Sequence, residues 1–288
     1  MYSAPIFRDV RRTSIGMFVG IVAVHAVLKV VFFHKLFLEM VADPLYDATR
    51  GYLSHSATAG IIEICVFGVL LVGGARLGAR DLGLGSRKLL NGLLVVLFVW
   101  SVAQVVVVAI GHAQGGDIYF GPAWNSSREA FVAGTAQAYG TTAFVEELVY
   151  RGFLLPQVFL ALTAMRRWSW STCLAIALVS TQLYFALSHG YAAARMDLDL
   201  GASLLYLSHV FAVGLLFAAL YLRSGNLYVA IGVHGLINFP GGLFESGVDG
   251  SLVMLLLSCG LLLSWPALAR VMEDVFTVRP GIMQWPAN

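Results

Sequence analysis

FVEELVYRGF, residues 144–153, decides how this chain is read, because it sets Glu146, Glu147 and Arg151 inside an apolar run extending from Thr135 to Leu155. Ionised groups at membrane depth cost kilocalories, so within a span they are rare and mark function. Whether the run is a span depends on the rest of the chain. Hydrophobic residues make up 59% of the 288 positions, charged residues 12%, and the mean hydropathy is +0.80. That composition lies far from a soluble globular domain and fits a polytopic, all-α membrane protein.

About eight runs approach the roughly 20 residues needed to cross a hydrocarbon core as a helix: Ser14 to Phe33, Ala57 to Ala75, Leu89 to Gly111, Ala133 to Leu155, Thr172 to His189, Ser203 to Leu222, Leu227 to Phe244 and Leu252 to Trp265. The expected organisation is a single integral membrane domain over residues 1–288, with the segment 129–244 carrying the polar motifs of the fourth, fifth and seventh helices. Twelve of the 18 Lys and Arg, among them Arg8, Arg11, Arg12, Arg76, Arg80 and Arg279, fall on the N-terminal side of the alternating loops. Only Lys35, Arg50, Arg128 and Arg195 fall on the other. The positive-inside bias then predicts cytoplasmic N- and C-termini.

The first run is too long for a signal-peptide core and reads as a retained anchor. Cys65, Cys173 and Cys259 all lie in predicted spans, which implies packing residues rather than disulfides or a thiolate metal site. A net charge of +2 with no basic cluster beyond ordinary loops gives no indication of a nucleic-acid partner. Asn125-Ser126-Ser127 has the form of a glycosylation acceptor, but three residues match too often by chance to carry weight.

Residues four apart on an α-helix lie about 40° apart in projection, so Glu147 and Arg151 should pair. Glu146, about 100° away from Glu147, is then free for proton chemistry, with Tyr150 four residues on as a hydrogen-bond partner. Phe185 and His189 close the fifth span, and His234 and Asn238 share a face of the seventh. Gly152, Gly190, Gly232 and Gly235 beside these groups should let the helices approach closely. His25, Lys29, Glu63 and His209 are isolated in sequence and are expected to pair between helices, Lys29 with Glu63 included.

Glu-Glu-x-x-x-Arg, Phe-x-x-x-His and His-x-x-x-Asn, in that order on separate helices, resemble the CPBP (Abi) family of intramembrane proteases, which includes the CAAX prenyl endopeptidases and the bacteriocin-processing enzymes. The resemblance covers roughly Ala143 to Pro240. It implies that Glu146 activates water with His189 assisting, that Glu147 and Arg151 hold the site, and that His234 and Asn238 stabilise the oxyanion. It also implies a multi-pass protein of a bacterial-type plasma membrane acting on a membrane-associated peptide or protein terminal segment in the lipid bilayer. No cofactor is expected. A zinc site of Glu146, His189 and His234 is the alternative, against which stand the lack of His-Glu-x-x-His and the proximity of Arg151.

The placement of His189, His234 and Asn238 near outer ends of their spans predicts a site opening to the outer half of the membrane. Two other functional classes compete with the protease. Intramembrane Glu, His and Arg also build the relays of proton-coupled transporters, although no paired interrupted helices are evident here. A catalytically silent membrane scaffold or immunity protein on the same fold is the third, with the intact motifs weighing against it.

Overall fold

The computed structural model describes residues 7, 9–121 and 128–276; Arg8, Arg279 and the Asn125 sequon lie outside them. The fold is all-α apart from one two-residue strand pair. Helix α1 (Ile15–Phe33) starts where the Ser14 hydroxyl accepts a hydrogen bond from the Met17 backbone N–H, which satisfies one of the orphan amides of a helix N-terminus. A second helical stretch, α2 (35–48), follows immediately. Helix α3 (His55–Gly74) is capped by Ser54, and α4 (Ser86–Ala113) runs for 28 residues.

Strand β1 (Tyr119–Phe120) pairs antiparallel with β2 (Phe244–Glu245), which lies after the seventh predicted span. Between them come α5 (128–164), α6 (Trp170–Ser188), α7 (Gly190–Arg195), α8 (Leu200–Ser224) and α9 (Leu227–Asn238). Gly225 adopts the left-handed conformation, φ +61°, that ends α8 and turns the chain into α9. Helix α10 (Gly250–Phe276) completes the described chain.

Among the described residues, six helical segments are long and apolar enough to cross a membrane: Ile15–Phe32, His55–Gly74, Lys88–Ala113, Trp170–Arg195, Leu200–Ser224 and Gly250–Arg270. They correspond to six of the eight expected spans. The two others differ from expectation, and both carry motifs. The fourth, expected to end at Leu155, continues through Pro156 to Ala164. Wide i→i+5 turns at Leu148–Leu154 precede the proline, and such turns relieve the clash and missing amide that would otherwise break the helix.

The seventh expected span stops at Asn238, six residues before Phe244. Phe239 is extended, at φ −147° and ψ 90°, as steric conflict with the following Pro240 requires. Twelve residues give α9 a length of about 18 Å, short of a hydrocarbon core of about 30 Å. It is packed by α4, α5, α8 and α10, and its residues from Leu227 to Leu236 are buried almost without interruption. Helix α1, by contrast, leaves Ile15, Val19 and Val27 exposed, as a lipid-facing helix can.

The stretch between α1 and α3, which hydropathy leaves outside the spans, is helical as α2 and exposes Leu36, Met40, Leu45 and Tyr46. Hydropathy missed it because Lys35, Glu39, Asp43 and Asp47 interrupt the apolar residues, a pattern suited to an interfacial helix.

Candidate active site

The site is organised around the two glutamates of α5. Glu147 and Arg151 are fully buried and form the expected ion pair, with Arg151 Nη1 donating to Glu147 Oε1 at 2.9 Å. The other guanidinium nitrogen, Nη2, donates to Gln182 Oε1 on α6 and to the Gly214 carbonyl on α8, both at 2.8 Å. The guanidinium also lies 4.5 Å from the centroid of the Phe185 ring, a cation–π contact strengthened by the absence of water. Arg151 thus ties three helices to one charge pair.

Glu147 Oε1 has a second donor, His234 Nδ1 at 2.8 Å. Because a carboxylate only accepts, this bond fixes the proton on Nδ1 and turns Nε2 of His234 towards Glu146, 3.7 Å from its Oε2. The imidazole stacks on Phe217 with centroids 4.4 Å apart and planes 19° apart. His189 is held in the same sense: its Nδ1 lies 2.9 Å from the Phe185 carbonyl, another pure acceptor, and its Nε2 faces Glu146 Oε1 at 3.9 Å. Each glutamate therefore has a distinct environment. Glu147 is locked among donors, while Glu146 stands between two imidazole Nε2 atoms.

Glu146 borders a cavity of about 440 Å³ that it shares with Asn238, Lys29, Glu63, Gln137 and Arg195. Phe32 at the end of α1, His55 at the start of α3 and Phe239 after α9 also line it, which puts it towards the end of the bundle remote from Arg11 and Ser14. Asn238 also borders a recess of about 370 Å³ containing His189, His209 and His234. All four residues expected to act chemically, Glu146, His189, His234 and Asn238, are brought together, though they are up to 92 positions apart in the chain.

Two expected details differ. The Tyr150 hydroxyl donates to Ser188 Oγ at 2.7 Å and approaches His25 Nε2 at 3.4 Å; the wide turns beginning at Leu148 rotate it away from Glu146. His25, expected to pair between helices, does so: its Nδ1 lies 2.8 Å from the Tyr184 hydroxyl. The expected close approaches hold at Gly152, where an added Cβ would lie 2.8 Å from the Leu82 carbonyl, and at Gly232 and Gly235, but not at Gly190, which has open space beside it.

Lys29 and Glu63 pair at 3.1 Å as expected, but they do so in the wall of the Glu146 cavity. Gln182 and Gly214 were missed. A signal existed for Gln182, which precedes Phe185 by three and His189 by seven on one helical face. Among the described residues there is no group of three or more His, Cys, Asp or Glu side chains arranged to hold a metal ion.

Residues 128–240 match the model of a protein family described as type II CAAX prenyl endopeptidase Rce1-like. The match spans all three motifs and bears out the resemblance to CPBP proteases. No curated protein and no solved structure matches the chain.

Proposed function

We propose that this integral membrane protein, Rce1-like over residues 128–240, is an intramembrane endopeptidase that hydrolyses a peptide bond of a membrane-associated peptide or protein terminal segment with water activated by Glu146. The observation that carries the reading is the asymmetry of the two glutamates: Glu147 is neutralised by Arg151 and bonded to His234, while Glu146 faces the cavity. A water bound by Glu146 would lose its proton to the carboxylate as its oxygen attacks the scissile carbonyl. The proton then passes to the leaving amine, with His189 Nε2 beside the carboxylate to assist. Asn238 donates to the developing oxyanion, and His234 donates to it through Nε2 in its imidazolium form, the role of preorganised donors in a water-poor site.

Residues 129–244 form the catalytic core in this reading, and no step in it requires a metal. In this reading the termini are cytoplasmic, which the charge bias supports, and the cavity faces the opposite side, which favours envelope or exported substrates.

The test compares peptides accumulating in membranes that contain wild-type protein or Glu146→Gln, then incubates purified protein with the candidates found and with a synthetic S-farnesylated CAAX peptide. Cleavage by wild type alone, unchanged by EDTA or 1,10-phenanthroline, is the expected result. Equal turnover by Glu146→Gln would remove the assignment, and reversible loss with chelators would replace the metal-free mechanism with a zinc one.

A further inference from the structure

Helix α1 lies outside the matched segment 128–240 and, among its described side chains, buries only Ile21, His25 and Phe32. An imidazole is costly to bury on such a helix unless its ring nitrogens find partners. Both do, and the partners lead to the active site. His25 Nδ1 lies 2.8 Å from the Tyr184 hydroxyl on α6, and Nε2 lies 3.4 Å from the Tyr150 hydroxyl on α5. The His25 ring also meets that of Tyr150 edge-on, with centroids 5.3 Å apart and planes at 88°.

The sense of each bond in this chain follows from its far end. The Phe185 carbonyl only accepts, so Ser188 Oγ, 2.7 Å away, directs its one proton there. Ser188 Oγ then accepts from Tyr150, also at 2.7 Å. With its own proton so committed, the Tyr150 oxygen accepts from His25 Nε2, which leaves His25 Nδ1 to accept from Tyr184. A single arrangement of protons, with that of His25 on Nε2, satisfies every member.

The same Phe185 carbonyl takes His189 Nδ1 at 2.9 Å. His189 is the residue on which α6 ends, at φ −89° and ψ 0°, and its side chain is 24% exposed, so neither a regular helix nor close packing fixes the ring. Ser188 Oγ stands 3.5 Å from His189 Nδ1. Released from Tyr150, that hydroxyl could turn from the carbonyl to the imidazole, and as a donor to Nδ1 it would move the His189 proton to Nε2, the atom that faces Glu146.

We propose that His25 is a positioning residue for the peptidase reaction: through Tyr150 and Ser188 it fixes the hydroxyl that shares the Phe185 carbonyl with His189, and so keeps the His189 proton on Nδ1 and Nε2 free towards Glu146. The inference rests on the peptidase reading and extends its machinery to α1, beyond the segment that carries the three motifs.

The experiment uses full-length protein in detergent with its histidines labelled for nitrogen NMR. At mildly alkaline pH, where an ordinary imidazole is neutral, the nitrogen shifts distinguish the protonated ring position from the bare one, and the His189 signals are identified by their absence from His189→Gln. In the wild type His189 should carry its proton on Nδ1 and His25 on Nε2. His25→Phe keeps a ring and removes both nitrogens, whereas His25→Asn reaches only the Nδ1 position; each should shift His189 to a mixture of the two tautomers. His25→Gln, which places an amide donor where Nε2 stands, should keep the wild-type pattern. With a dansylated S-farnesylated CAAX peptide, His25→Phe should lower kcat about 10-fold with little change in KM, and His25→Gln should recover most of the loss. Added to Tyr150→Phe, His25→Phe should cost nothing further, because members of one hydrogen-bond chain do not act additively.

Unchanged His189 signals in both His25→Phe and His25→Asn would overturn the proposal; a fall in the unfolding midpoint beside them would make His25 a packing residue only. Losses of kcat that add in the double variant would overturn it too, by showing that His25 and Tyr150 act separately. A His189 tautomer that depends on His25, in a wild type that cleaves neither this peptide nor any found in membranes, would uphold the positioning and reject the peptidase reading.

Discussion

At the scale of single residues, adjacent glutamates carry opposite expectations. Glu146→Gln retains the shape of the side chain but removes the base, so cleavage should vanish while the thermal unfolding midpoint stays near wild type. Glu147→Gln leaves Arg151 without a counter-charge in a site closed to solvent, and breaking a buried pair in this way costs about 3–5 kcal/mol. Its midpoint should fall clearly before any assay of activity is made. Asn238→Ala separates oxyanion donation from helix bracing: an approximately 10²- to 10³-fold loss of kcat with stability retained is expected for a donor. A large fall in stability with near-normal kcat would assign Asn238 to packing.

At the scale of elements, α8 contributes to the site by what it lacks. A Cβ at Gly214 would stand 2.8 Å from Phe185 Cδ1 and 3.2 Å from Arg151 Nη2, so Gly214→Ala should displace the guanidinium. The expected cost is about 1–3 kcal/mol of stability, together with reduced turnover; an unchanged kcat and midpoint would show that Arg151 has room to move. The same element explains the limits of reading the sequence. The helical spacing of Glu147 and Arg151 made their pairing legible, and the Phe185–His189 and His234–Asn238 spacings marked the faces of the later helices. Gly214 was illegible as a site residue because its role depends on which helix lies opposite, and the helical face that Gln182 shares with Phe185 and His189 marked its position but not its partner. Tyr150 was misassigned because an ideal α-helix was assumed where wide turns occur. Helix α9 was drawn too long because hydropathy continues past Asn238 while the Phe239-Pro240 geometry does not.

At the scale of the whole molecule, the N-terminal segment is fastened to the connection between α3 and α4. Asp81 accepts hydrogen bonds from the Arg11 backbone at 3.0 Å, Arg11 Nη2 at 2.7 Å and the Gly78 amide at 2.7 Å. Partial burial works against its ionisation, but these donors outweigh that and hold its carboxyl below the ordinary aspartate range. A depressed pKa stabilises the fold above the unfolded value of about 3.9 and ceases to do so as pH falls through the lower folded value. Asp81→Asn should therefore lower the unfolding midpoint at pH 7, and the gap from wild type should narrow as both are acidified below about pH 4. A gap independent of pH would mean that the carboxylate's charge is not what holds the segment. The shortness of α9 has a consequence of another kind, since hydrolysis consumes water and a bilayer supplies almost none. In the proposed reading, a helix of about 18 Å, too short to cross a hydrocarbon core of about 30 Å, lets the aqueous phase dip towards the reacting bond, so supply of the second substrate needs no dedicated conduit. Thr142 lies one turn before Glu146 in the cavity wall. With Cys65, Cys173 and Cys259 replaced, Thr142→Cys should react rapidly with a membrane-impermeant thiosulfonate added to one face of sealed vesicles and slowly from the other. Leu205→Cys, on a side chain 74% exposed along α8, should remain shielded by lipid from both; equal sluggishness at the two positions would show the recess to be dry.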